Sequence, residues 1–110
     1  MLISIIKIIP FPETRKEILD ILNSMKGPTS VKSGCIRCAV LQEHGDDDSI
    51  FYLEQWESPE KLTAHVSSAI YSRLLKAMDL AREMPDVTFH RISDTSGMEL
   101  ISKTRNRDIN

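Results

Sequence analysis

Four kinds of side chain in this sequence could do chemistry: an indole donor, imidazoles, thiols and a run of carboxylates. Trp56 is the only tryptophan. It closes the stretch Ile50-Phe51-Tyr52-Leu53-Glu54-Gln55-Trp56-Glu57, whose alternation points Tyr52, Glu54 and Trp56 to one face of a strand. His65 stands one to two turns into the helix that follows. An apolar cleft holding one indole N–H and one titratable ring suits a small molecule. Spacing alone favours a plainer arrangement, with Trp56 packed as core and His65 exposed on its helix.

The other groups weigh less. Cys35-Ile36-Arg37-Cys38 has redox or zinc spacing. On a regular strand residues three apart face opposite sides, so these thiols read as packing residues, without the helix N-terminus that activates a redox cysteine. His44-Gly45-Asp46-Asp47-Asp48 is explained by a hairpin turn and lacks the spacing of a calcium loop. No metal site is expected. His90 alternates with Phe89 and Arg91 on a late strand, from which it reaches the cleft or solvent.

These residues need a frame to hold them. Leu2 to Ile9 reads as a strand with Leu2, Ile6 and Ile8 on one face and Ile3, Ile5 and Ile9 on the other. The spacing of Ile18, Leu19, Ile21, Leu22 and Met25 predicts a helix from Pro12 to Met25, stopped by Gly27-Pro28. Cys35 to Glu43 and Ile50 to Glu57 form a hairpin. Ser58 caps the next helix, with Pro59 and Glu60 in its first turn. Ser67-Ser68 interrupts it before a stripe of Ile70, Leu74, Ala77, Met78 and Ala81, and Val87 to Ser93 is the last strand.

The order β-α-β-β-α-β is the α+β, ferredoxin-like two-layer plan over residues 1–95. Helices cover one face of its antiparallel sheet. A first strand apolar on both sides predicts a second copy on the other face, a homodimer packed sheet to sheet. Residues 96–110 are an extension whose Met98, Leu100 and Ile101 could lie across that partner, with Arg105 to Asn110 frayed.

Composition bounds the partners. The chain of 110 residues is 41% apolar and 27% charged, with 14 basic against 16 acidic residues and a net charge of −2. That balance draws it neither to nucleic acid nor to an anionic membrane. The apolar start is far shorter than the roughly 20 residues of a spanning helix and lacks signal-peptide features. With two cysteines and no disulfide framework, the expected location is cytoplasmic.

Glu54-Gln55-Trp56-Glu57-Ser58, then Leu62, Ala64-His65 and Tyr71, with Gly34-Cys35 before them, resembles the antibiotic biosynthesis monooxygenase family, especially its quinol-monooxygenase-like members. The resemblance covers residues 2 to 95 and implies a dimeric α+β barrel with a pocket in each subunit. It implies oxidation of a small aromatic hydroxyl compound (a quinol, phenol or anthrone) by O₂, with no cofactor. Trp56 and His65 would then be catalytic, with Tyr52, Tyr71, Arg73 and His90 around the substrate. Alternatives on the same scaffold are an isomerase of a small oxygenated metabolite and a dimeric ligand-binding domain. The chain departs from the family where Ala69-Ile70-Tyr71 lacks a common histidine and Cys38 replaces an aromatic residue. Ser4 and Lys7 stand on the strand where haem-degrading relatives carry asparagine.

Overall fold

The computed structural model describes residues 1–45 and 48–106, so Asp46 and Asp47 of the expected hairpin turn, and the tail from residue 107, lie outside the described residues. Strand β1 (Leu2–Ile8) pairs antiparallel with β3 (Ile50–Trp56) on one side and β4 (Asp86–Arg91) on the other. With β2 (Cys35–Gln42) beyond β3, the order is β2-β3-β1-β4 in one open sheet. Helices α1 (Arg15–Ser30), α2 (Pro59–Val66) and α3 (Tyr71–Asp79) lie between these strands in the chain, and α4 (Met98–Arg105) follows them. This is the ferredoxin-like α+β fold.

Alternation decides the two faces of the sheet. Leu2, Ser4, Ile6 and Ile8 of β1 are buried on the same side as Ile50, Tyr52, Glu54 and Trp56 of β3. Ile6, Ile8, Ile50 and Tyr52 meet Ile18, Leu22 and Met25 of α1 and Tyr71, Leu74 and Ala77 of α3 in the main core. The opposite face carries Ile3, Ile5, Ala39, Leu41, Phe51 and Leu53, which are only half-buried or exposed. Lys7, Gln55, Thr88 and His90 share this face, which is not buried within one chain.

The bounds of α1 and of the last strand differ from expectation, while the interruption at Ser67-Ser68 is a break. Gly27-Pro28 does not stop α1, which starts at Arg15 rather than Pro12 and runs on to Ser30. Pro28 cannot donate to the Ser24 carbonyl, and that oxygen instead faces the Arg73 guanidinium at 3.5 Å. Met25 and Thr29, on either side of the proline, are fully buried with Ile18 and Leu22. Burial of that stripe outweighs local propensity. At Ser67-Ser68 the helix breaks outright, because the His65 carbonyl accepts from both the backbone N and the Oγ of Ser68. The last strand ends at Arg91, and the tail forms α4 with Met98, Leu100 and Ile101 exposed and nothing buried. No described helix is long and apolar enough to cross a membrane.

Candidate active site

The site is built where β3 hands the chain to α2. Ser58 caps α2 as expected, its Oγ accepting from the Lys61 backbone N at 3.3 Å. This fixes the start of the helix, so that His65, in its last turn, swings back over the end of β3. The His65 and Trp56 rings lie 4.8 Å apart and tilted by 33°. Tyr71, from the start of α3, meets the imidazole edge-on at 5.4 Å.

Beneath both rings sits Glu54, 1% exposed. One carboxylate oxygen accepts from the Trp56 indole N–H at 3.0 Å and the other from His65 Nε2–H at 2.8 Å. Burial pushes the carboxyl pKa up, but the hydrogen bonds from His65 and Trp56 overcome it and leave the group below its ordinary value. His65 is 2% exposed, and its other nitrogen is held too. The Lys32 ammonium donates to Nδ1 at 2.9 Å and to Ser68 Oγ at 3.0 Å. An ammonium has no acceptor, so this contact makes Nδ1 the accepting nitrogen and places the ring proton on Nε2. Lys32, His65 and Glu54 thus form one polarised chain from the pocket edge to the buried carboxylate.

A cavity of about 270 Å³ opens at the outer end of that chain, lined by Lys32, Ser33, Trp56, Lys61, Ala64 and His65. A second, of about 330 Å³, lies against the other side of α2, lined by Leu62, Thr63, Val66, Ser67 and Phe89. It has no titratable lining. The first cavity is the candidate site.

Of the residues expected around a substrate, Trp56 and His65 line this cavity together. Tyr52 and Tyr71 are buried behind them. Burial raises both phenols, that of Tyr71 to about 12, which keeps them protonated. Arg73 is exposed on α3 and reaches Ser24 of α1. His90 pairs with Ile3 in the β1–β4 ladder, which puts it on the bare face of the sheet, away from the cavity.

The cysteines correct the expectation that they face opposite sides. A register shift between Cys35 and Arg37 pairs Cys35 with Trp56 and Cys38 with Glu54, so both belong to the helix-facing side. Packing remains their role. The Cys38 thiol donates to the Tyr52 hydroxyl at 3.2 Å, and burial pushes its pKa up to about 11. Burial raises Cys35 as well.

Two members of the site were not singled out from sequence. Glu54 carried a signal, since a carboxylate between Tyr52 and Trp56 on an inward face must find partners. Lys32 carried none, lying 33 positions from its histidine in a loop.

The solved structures resembling this one share its architecture. The Rv0793 protein of Mycobacterium tuberculosis superposes with a TM-score of 0.78 at 22% identity, over 87% of this chain and 98% of that one. A candidate antibiotic biosynthesis monooxygenase from Nitrosomonas europaea gives 0.76 at 15% identity, over 86% and 100%. A further candidate from Deinococcus radiodurans gives 0.79 at 14%, over 88% and 97%. At such identities the likeness establishes the fold. No curated protein matches the chain. The sequence profile of antibiotic biosynthesis monooxygenases, however, matches residues 1–77, from β1 through the Trp56–His65 junction into α3. The chain belongs to the antibiotic biosynthesis monooxygenase family.

Proposed function

We propose that this protein is a cofactor-independent monooxygenase that oxidises a small aromatic hydroxyl compound with O₂, working as a homodimer. The observation that carries the reading is the Glu54–His65 pair beside Trp56 at the inner end of the 270 Å³ cavity. That volume suits a substrate of one to three rings. Such a substrate lies against Trp56 with its reacting group toward His65.

His65 Nδ1 takes the substrate proton once Lys32 gives up that nitrogen. The imidazolium formed is held by the Glu54 carboxylate on Nε2, the way an aspartate supports a catalytic histidine elsewhere. The electron-rich anion then passes one electron to O₂, and the resulting pair combines at carbon. For an anthrone, the carbon loses two hydrogens and gains a ketone oxygen, while the second oxygen atom leaves as water. The protein contributes orientation, a proton acceptor and a dry surface. A second copy on the bare face of Ile3, Ile5, Leu41, Phe51 and Leu53 would close the open sheet into a barrel and stiffen β3 from behind.

Oxygen uptake with an anthrone tests the chemistry. His65→Gln should lower kcat by about 10²–10⁴-fold, and Trp56→Phe should raise KM with a smaller change in kcat. Uptake unaffected by both substitutions would contradict the assignment. The same proton-handling pair would serve an isomerase, which turnover without oxygen consumption would identify. Binding without turnover would mark a ligand-binding domain.

A further inference from the structure

The two lysines at the cavity mouth are each held by specific neighbours. Lys32 is half-buried, and its ammonium rests on His65 Nδ1 and Ser68 Oγ, both neutral acceptors. Lys61 donates to Ser33 Oγ at 3.0 Å. Its stem is pressed onto Gly34: a Cβ built there would fall 2.5 Å from Lys61 Cγ, and Gly34 has φ +88°. Only glycine satisfies both the left-handed backbone and the close approach. The chain therefore spends a glycine on seating Lys61 along the cavity wall.

No carboxylate lines the cavity. Around it stand Lys32 after α1, Cys35 on β2, Glu54 on β3, Lys61 and His65 on α2, and Tyr71 on α3. Glu54 has its oxygens taken by Trp56 and His65, and neither Glu57, whose backbone N–H donates to the Gly34 carbonyl, nor Glu60 forms an ion pair with Lys32 or Lys61 among the described residues. Two ammonium groups thus face the opening with their charge unanswered by an acid among the described residues.

From this we propose that the ligand of this cavity is an aromatic oxyanion, an ionised ring hydroxyl or a ring carboxylate, held by Lys32 and Lys61 with its ring on Trp56. The inference rests on reading this cavity as the substrate site, and it narrows the substrate to compounds that bind as anions. Charge-assisted bonds from two ammoniums stabilise the ionised form, whereas a merely apolar pocket would favour the neutral one.

The opposite sign of those two effects makes the test sharp. The full chain is titrated with 4-nitrophenol, whose ionised form absorbs visible light, and calorimetry compares 4-nitrobenzoate with neutral 4-nitrobenzamide. Bound 4-nitrophenol should ionise about one pH unit or more below the free compound, equivalent to about tenfold preference for the anion. The benzoate should bind at least about tenfold more tightly than the amide. A shift without benzoate preference identifies the ring hydroxyl as the anion source; preference without a shift identifies the carboxylate. Lys32→Met and Lys61→Met should each reduce the effects, and the double substitution should abolish them. The Lys61 ammonium is on an exposed residue and methionine keeps the Cβ and Cγ that pack on Gly34, so this variant should fold. Ionisation unchanged or moved upward together with equal affinity for benzoate and amide, or no binding of any probe, would overturn the proposal. Anion preference in a protein that consumes no oxygen would remove the monooxygenase reading and leave this one standing.

Discussion

The helix-facing side of the sheet has two ends built in opposite ways. At one end Ile6, Ile8 and Ile50 are sealed by α1 and α3 in a mainly apolar core. At the other, Ser4, Glu54 and Trp56 lie near α2, and burial there is tolerated because Glu54 has matched donors. Side chains at both ends are buried. The first is stable whichever apolar side chains fill it well; the second loses stability when removal of Glu54 leaves its buried donors unpaired. The scaffold thus sets a generic apolar core beside a hydrogen-bonded polar cluster.

Substitutions at each end should separate these two designs. Glu54→Ala leaves the indole and imidazole donors unpaired and should cost about 3–5 kcal/mol, read from urea unfolding. Leu22→Ala at the apolar end leaves a cavity, costs about 2–5 kcal/mol, and should not alter the affinity of an aromatic ligand for the Trp56 cavity. Equal losses of ligand binding from both variants would erase the distinction between the ends. The pH dependence gives a smaller, signed effect. Glu54 is depressed in the folded state, so its contribution is present above the ordinary glutamate range and lost as pH falls through the lowered folded value. Glu54→Gln should flatten that part of the acid-unfolding curve; a curve unchanged in slope would mean the carboxylate is not held as described.

Much of the frame was legible because it rests on local periodicity. Alternation in Leu2–Ile8 and Ile50–Trp56, and the Ser58-Pro59-Glu60 start, are properties of a few adjacent residues. They predicted both faces of the sheet and the entry to α2. What escaped depends on contacts distant in sequence. The stripe that carries α1 past Pro28 is held by burial against the sheet and α3, which no local rule reports. A single register shift at Cys35–Arg37 turned the two thiols to the same face, and His90 fell on the outer face because a strand's register decides sides one residue at a time. Spacing put Trp56 and His65 at one strand-to-helix junction but favoured an exposed His65; the structure instead buries the imidazole against Trp56 and Glu54. Lys32, joined to His65 only through the fold, was not legible.

Lys32 and Glu54 hold His65 with its proton on Nε2 and its unprotonated Nδ1 accepting from Lys32. Nitrogen NMR of the imidazoles tests this directly, with the His65 signals among the three histidines identified by their absence in His65→Gln. The ligand-free protein should show the Nε2-protonated tautomer. A proton on Nδ1 would contradict it, because Lys32 could not then donate to that nitrogen, and the chain from cavity to carboxylate would be broken.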